Sequence, residues 1–183
     1  LMTMMFGMYS AGQWKDERES NLLDGAAHFY GCYECKDGKY ISIGSIEPQF
    51  YASLIENMEL DASKFSNQFD KNLWPNLKEL IGLRFKEKTR DEWCKIFTGK
   101  DICFAPVLSL EESLNNQHNL DRETFVEVAG IKQPAPAPRF SRTESEIKHP
   151  PLKVGSNTPE IIESLSSKID VSGLSDKKII RLD

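Results

Sequence analysis

Residues 29–48 read FYGCYECKDGKYISIGSIEP, and this stretch decides the fold of the chain. Two runs rich in aromatic and β-branched residues, 29–35 and 39–45, are joined through Asp37-Gly38. Asp-Gly between two such runs is a strong hairpin signal, because glycine tolerates the positive φ of a tight turn. Pro48 is a favoured first residue of an α-helix. The stretch therefore predicts a β-hairpin whose second strand leads directly into a helix.

Three helices are predicted downstream of the hairpin. The first begins at Pro48, and its apolar residues recur at i, i+3, i+4 and i+7, namely Tyr51, Leu54, Ile55 and Met58. A second is predicted to begin near Trp74 and run to Phe85, after an irregular segment at 61–73. Residues 89–92, TRDE, have the spacing of a capping box at the start of the third.

The remaining elements are short. Strands are predicted at 102–108 and 125–128, and helical segments are predicted from Ser109 and from Thr158. Residues 134–138 read PAPAP, and proline fits neither a helix interior nor a central strand. We expect this run to be an extended crossover strap; recognition of a polyproline segment by a partner is the alternative.

The order of these elements predicts an α+β fold, a small antiparallel sheet with helices. The compact α+β unit is predicted at 28–128. Residues 1–27 are interpreted as the end of a helix and a linker, with an exposed polar excursion at 10–28. Residues 129–183 are interpreted as an extended Pro-rich linker and a C-terminal helical segment.

Residues 1–9 read LMTMMFGMY and lack the basic segment and cleavage pattern of a signal peptide. They resemble the tail of a buried or interface helix entered midway, so the chain is expected to be part of a longer protein. Four methionines among the first eight residues indicate either an adaptable apolar binding surface or ordinary helix packing.

The composition excludes several classes of protein. The 183 residues include 39% hydrophobic and 28% charged residues, as in ordinary soluble globular proteins. The net charge is −5, and basic residues are mixed with acidic ones, which argues against nucleic acid as the main partner. No stretch approaches the roughly 20 apolar residues that span a bilayer, so no membrane span is expected.

The four cysteines are candidates for a metal or redox site. Cys32 and Cys35 have the Cys-x-x-Cys spacing of a redox pair or of half a zinc site. Cys94 and Cys103 stand alone without a neighbouring histidine, and residues three apart in a strand point to opposite faces. We therefore predict free thiols in a reducing compartment and no metal site.

The carboxylates are the remaining candidates for chemistry. No phosphate loop or nucleophile elbow is present, and the three histidines are expected at the surface: His28, His118 and His149. Glu47 differs from the other acidic residues because it lies where an apolar strand meets a helix. It either stabilises the helix start or, if partly buried, handles a proton, since burial raises a carboxyl pKa towards a useful range.

Six segments of the sequence occur in a characteristic order. They read NLLDGAAHFY (21–30), DGKY (37–40), GSIEPQFY (44–51), GKDICFAPVL (99–108), HN (118–119) and QPAPAPR (133–139). Together they resemble the C-terminal half of the α-methylacyl-CoA racemases, a group within the family III CoA-transferase superfamily. The resemblance covers nearly the whole chain and thins after about residue 160. It implies that the unit is the small domain of that fold, followed by a C-terminal return segment.

The resemblance also implies an activity. Such racemases invert the centre α to the thioester carbonyl of 2-methylacyl-CoAs through an enolate-like intermediate, with no cofactor beyond the CoA of the substrate. The family's catalytic glutamate falls on Glu47, and a tyrosine close to the catalytic groups falls on Tyr30. The family's principal acid/base pair, a histidine and an aspartate, lies in the N-terminal half, so we expect the isolated chain to be inactive.

Further implications concern assembly and location. Each active site of the family forms between the large domain of one subunit and the small domain of its partner, in an interlocked homodimer. Peroxisome or mitochondrion is implied by resemblance alone, since the chain shows no targeting signal of its own. One departure falls at His28, where relatives usually have proline. Two other functions remain open: a CoA transferase acting on carboxylic acids, and a non-catalytic dimerisation module.

Overall fold

The computed structural model describes residues 1–165 and 170–180. Within them, the helices are α1 (Thr3–Ser10), α2 (Pro48–Asn57), α3 (Trp74–Phe85), α4 (Arg90–Phe97), α5 (Leu110–Leu114), α6 (Gln117–Asp121), α7 (Thr158–Ser164) and α8 (Val171–Asp176). The strands are β1 (Tyr30–Glu34), β2 (Tyr40–Gly44), β3 (Phe104–Val107), β4 (Phe125–Val128) and β5 (Ile131–Pro134). The chain divides into two compact units, Leu1–Ser109 and Leu110–Asp183, and each is described by itself. The α+β class predicted from the sequence is confirmed; the predicted domain boundaries stay predictions.

A three-stranded antiparallel sheet in the order β1-β2-β3 organises the first unit. The hairpin predicted at Asp37-Gly38 is confirmed, and Gly38 has the positive φ of +73° that the turn requires. Tyr30 lies opposite Gly44, and Cys32 lies opposite Ser42. Alternation along the strands gives the sheet one buried and one outward face.

The buried face of the sheet is covered by helices α2, α3 and α4. Their apolar residues join those of the strands in one core: Tyr33, Ile41, Ile43, Tyr51, Leu54, Ile55, Leu77, Ile81, Phe85, Trp93 and Phe97. Phe85 lies at the centre, with its ring 5.2 Å from that of Tyr33 and 5.3 Å from that of Trp93, measured between centroids. The buried residues of α2 confirm the apolar face predicted from the i, i+3, i+4 spacing.

The starts of the helices follow the local signals in the sequence. Pro48 and Pro75 occupy the first turns of α2 and α3, where the missing N–H is not needed. The hydroxyl of Thr89 accepts a hydrogen bond from the backbone N–H of Glu92, whose carboxylate accepts one from the backbone N–H of Thr89. The predicted capping box is thus confirmed. Residues 61–73 contain no helix or strand, as expected.

The segment at 10–28 was expected to be an exposed excursion, and for its second half this is wrong. Asn21 is 1% exposed, and its carboxamide accepts from the backbone N–H of Lys15 and donates to the Lys15 carbonyl. The carboxylate of Asp24 accepts from the backbone N–H groups of Ser20 and Asn21. These short-range bonds satisfy the polar groups and allow the segment to pack, which composition alone does not reveal.

The second unit contains a two-stranded ribbon, β4 and β5, joined at Ala129 and Gly130. Both turn residues have positive φ, +51° and +79°, as in the primed turns that favour hairpins. The predicted strand at 125–128 is confirmed, whereas β5 and α8 were not predicted. Helix α7 begins at Thr158, as expected. None of the helices in the described residues has the length and apolar character that crossing a bilayer requires.

Candidate functional site

The candidate site is built around the turn between β2 and α2. The backbone N–H of Ile46 donates to the carbonyl of Gly44 at 2.9 Å, a bond between residues two apart that marks a γ-turn. This turn interrupts the strand alternation that buries Ile43 and Ser45. Glu47 follows with extended backbone dihedrals, φ −71° and ψ 144°, as the residue before the first turn of α2.

The side chain of Glu47 neither caps the helix nor lies buried. Its backbone carbonyl accepts from the N–H of Tyr51 at 2.9 Å, but its carboxylate makes no capping hydrogen bond. The residue is exposed in this chain. The partial burial required for a proton-handling carboxylate is therefore not found here. The γ-turn is the physical reason, because it directs Glu47 away from the core.

Tyr30 occupies the outward face of the sheet. A Cβ placed on Gly44 would lie 3.6 Å from a ring carbon of Tyr30 and 3.8 Å from the carbonyl oxygen of Cys103. The half-buried Tyr30 ring therefore packs over Gly44. A Cβ at residue 44 would make an ordinary van der Waals contact with the ring.

A shallow groove of about 380 Å³ crosses this outward face. Tyr30 borders it, and mostly small residues line it, including Cys32, Ser42, Gly44, Cys103 and Ala105. Small side chains on three adjacent strands leave the sheet surface open to a flat or extended group. The groove lies on the face opposite the helices.

Glu47 acts electrostatically on one border of this groove. Desolvation is the larger cause that raises the pKa of the Cys103 thiol, and the negative charges of Glu47 and Asp101 raise it further. Cys103 is exposed and has a left-handed backbone, φ +59°. Of the two predicted site residues, Tyr30 lines the groove and Glu47 does not, and they form no hydrogen bond with each other among the described residues.

His28 contradicts the expectation of a surface histidine. It is fully buried, and its Nε2 lies 2.7 Å from the hydroxyl oxygen of Tyr51. That hydroxyl donates its single proton to the carbonyl of Phe65 at 3.1 Å, so the histidine Nε2–H must be the donor in the first bond. Burial lowers the pKa of His28 to about 4. The apolar neighbours Ala27 and Phe29 were the only sequence signal of this burial.

The other two histidines lie at the surface, as the sequence analysis predicted. His118 and His149 are exposed. Cys32 is exposed within β1, Cys35 is buried directly after this strand, and the thiols are free. Within residues 1–165 and 170–180, no group of three or more histidine, cysteine or carboxylate side chains is arranged to hold a metal ion.

Known proteins with similar sequences carry related activities. The mouse α-methylacyl-CoA racemase is 36% identical over 187 residues, which cover 100% of this chain and 49% of the mouse protein. The human α-methylacyl-CoA racemase is 38% identical over 172 residues, which cover 91% of this chain and 44% of the human protein. The chain thus spans about half the length of these relatives.

The fold is shared with a solved structure of low sequence identity. A CAIB/BAIF family protein from Brucella suis superposes with a TM-score of 0.66 at 14% identity, covering 91% of this chain and 45% of that one. Residues 1–158 match the sequence profile described as CoA-transferase family III. That match covers most of the 183 residues. The chain therefore belongs to CoA-transferase family III.

Proposed function

We propose that this chain is the C-terminal portion of a 2-methylacyl-CoA racemase. The enzyme interconverts (R)- and (S)-2-methylacyl-CoA by removing the α-proton and returning a proton to either face of an enolate. The observation that carries this proposal is the 36% and 38% identity to two α-methylacyl-CoA racemases over most of the chain. The reaction needs acid/base groups and the CoA that the substrate brings.

Glu47 is the proposed contribution of this chain to the acid/base network. Its carboxylate projects from a backbone position that is bonded on both sides, which supplies the positional precision that proton transfer requires. Because Glu47 is exposed here, its desolvation must come from outside the described residues. We propose that the large domain of a second subunit covers it in a homodimer. The proposed role of Tyr30, which lines the groove, is to orient a catalytic group.

Proton exchange in deuterated water tests this proposal. The full-length parent protein, given (S)-2-methylacyl-CoA, should form the (R) isomer and introduce deuterium at the α-carbon of both isomers. Glu47→Gln should lower the rate about 100-fold or more, within the range typical of a lost acid/base group. An unchanged rate in Glu47→Gln would remove Glu47 from the mechanism.

A CoA transferase acting on carboxylic acids is the second candidate. The description of the matching family as CoA-transferase family III favours it. In that reaction a free carboxylic acid receives CoA from a donor thioester, and no α-proton needs to exchange. Incubating the parent protein with an acyl-CoA and an isotopically labelled free acid separates the candidates. Labelled acyl-CoA without α-deuteration would establish the transferase.

Partner and location follow from the same proposal. An acyl-CoA thioester is the proposed ligand, and peroxisome or mitochondrion is the proposed location. The isolated chain is proposed to be inactive, because the principal acid/base pair of the racemases lies outside it. Racemisation by the isolated chain would contradict this, and gel filtration of the chain and of the parent would show whether either dimerises.

A further inference from the structure

Gln68 lies in the irregular segment between α2 and α3 and is buried, with 7% of its surface exposed. Its side-chain nitrogen donates two hydrogen bonds to main-chain carbonyls, to Ser45 at 3.1 Å and to Ile46 at 2.9 Å. These are the two residues that directly precede Glu47. Because carbonyls only accept, the two bonds require an NH₂ group, which glutamine supplies and glutamate or methionine does not.

The bond to Ile46 constrains Glu47 directly. The carbonyl of Ile46 and the N–H of Glu47 belong to one planar peptide unit, so holding the carbonyl fixes the orientation of the whole unit. On the other side, the carbonyl of Glu47 accepts from Tyr51, and Pro48 follows as the first residue of α2. Both peptide units that flank the Glu47 Cα are therefore held, and only the side-chain rotamer remains free.

Gln68 itself is fixed by neighbouring bonds. The indole N–H of Trp74, which is 3% exposed, donates to the backbone carbonyl of Gln68 at 2.8 Å. The carbonyl of Phe65 accepts from the hydroxyl of Tyr51 at 3.1 Å. On the opposite side of the turn, the hydroxyl of Ser45 donates to the carbonyl of Ile102. The turn is thus held between two segments that are distant in sequence.

We propose that Gln68 is a positioning residue for the Glu47 carboxylate. This inference rests on the proposed function of Glu47 in proton transfer. The segment at 61–73 then does more than connect α2 to α3. It brings the side-chain amide of Gln68 into contact with the turn between β2 and α2. A carboxylate displaced by a fraction of an ångström loses rate in the proton-transfer step while substrate binding is retained.

Kinetics of the full-length parent protein test the inference. In Gln68→Met, a side chain of similar size without donors, we expect kcat for α-proton exchange to fall about 10-fold and KM to change less than twofold. Trp74→Phe keeps an aromatic ring, smaller than the indole, and removes the N–H donor, and should lower kcat a few-fold. The control is Arg84→Met, because Arg84 also donates to a main-chain carbonyl, that of Met58, away from the turn. The control should leave kcat unchanged.

A double-mutant cycle with Glu47→Gln separates the two proposals. If Gln68 acts through Glu47, Gln68→Met should change the residual exchange rate of Glu47→Gln less than twofold. If Gln68→Met lowers the exchange rate by the same factor in the wild-type protein and in Glu47→Gln, the positioning role is overturned and the proposed function is left intact. A normal rate in Glu47→Gln would overturn both the positioning role of Gln68 and the role proposed for Glu47, whereas the racemase proposal itself is decided by α-proton exchange in the parent protein. If Gln68→Met does not fold, Trp74→Phe in the two backgrounds gives the same decision.

Discussion

Nε2 of His28 lies 2.7 Å from the hydroxyl oxygen of Tyr51, and this buried pair joins the start of β1 to α2. Nδ1 of His28 is buried without a hydrogen-bond partner among the described residues. The imidazole is therefore held as the neutral Nε2–H tautomer, and protonation of Nδ1 would place an uncompensated charge in the core.

Acid should destabilise the chain through His28. Its pKa is about 4 in the folded chain and about 6.5 in the unfolded chain, so between these values only the unfolded chain binds the proton. The free energy of unfolding therefore has its full value above pH 6.5. It decreases as the pH falls to 4, by up to about 3 kcal/mol. Urea denaturation from pH 7 to pH 4 measures this dependence.

The pH dependence of the unfolding free energy, and not its absolute value, shows whether the His28 imidazole is responsible. His28→Leu should show a shallower decrease between pH 6.5 and pH 4 than the wild-type chain. The exposed histidine variant His118→Gln serves as the control and should keep the wild-type slope. Equal slopes in His28→Leu and the wild type would show that His28 is not held neutral.

Tyr51→Phe should cost about 1–3 kcal/mol of unfolding free energy, because both His28 and the Phe65 carbonyl lose a buried partner. Tyr40→Phe is the matched control: Tyr40 is 45% exposed, and its loss should stay within about 0.5 kcal/mol. Urea denaturation of both variants at pH 7 gives the comparison. A Tyr51→Phe chain as stable as Tyr40→Phe would disprove the buried hydrogen-bond network.

Cys103→Gly should stabilise the chain by about 0.5–1 kcal/mol. Cys103 is exposed and has φ +59°, a conformation that glycine adopts without the Cβ clash. Cys32→Gly offers the opposite case, since Cys32 is exposed within β1 and glycine weakens a strand interior. In thermal unfolding, the melting temperature of Cys103→Gly should be higher than that of the wild type, and that of Cys32→Gly should be lower. The reverse order would show that the positive φ of Cys103 does not destabilise the chain.

The capping box at α4 should contribute about 1 kcal/mol. Thr89→Ala removes the hydroxyl that accepts from the N–H of Glu92 and leaves an N–H at the helix start without its partner. Thr143→Ala, at an exposed position, is the control and should change the unfolding free energy by less than about 0.5 kcal/mol. A loss of similar size in both variants would show that α4 does not depend on the cap.

The thiols should react at different rates. Cys32 and Cys103 are exposed, Cys94 is half-buried and Cys35 is buried. Burial raises the pKa of Cys35 to about 11 and also raises the pKa of Cys94 and of Cys103, so accessibility and not the pKa separates the thiols. A disulfide reagent at pH 8 should therefore modify Cys32 and Cys103 rapidly, Cys94 slowly, and Cys35 only on unfolding. Mass spectrometry after a short exposure locates the modified residues. Rapid modification of Cys35 would show that the core around β1 is open.

The sequence predicted the features that depend on neighbours a few residues away. The Asp37-Gly38 turn, the proline at the start of α2 and the capping box at Thr89 are all present in the structure. Each is decided by local backbone geometry or by a bond across three residues, so the residues that form it are adjacent in the printed sequence. The family resemblance rests on similarly short motifs.

Only the tertiary structure decided what surrounds the candidate site. His28 and Gln68 are each bonded to residues about 23 positions away, and Ser45 is bonded to Ile102 across 57 positions. Such pairings produce no periodic pattern in the sequence. The sequence analysis therefore predicted His28 at the surface and did not identify Gln68. The sequence by itself determined that a carboxylate stands at the start of α2. Packing of distant segments determined that this carboxylate faces outward from a turn held on both sides.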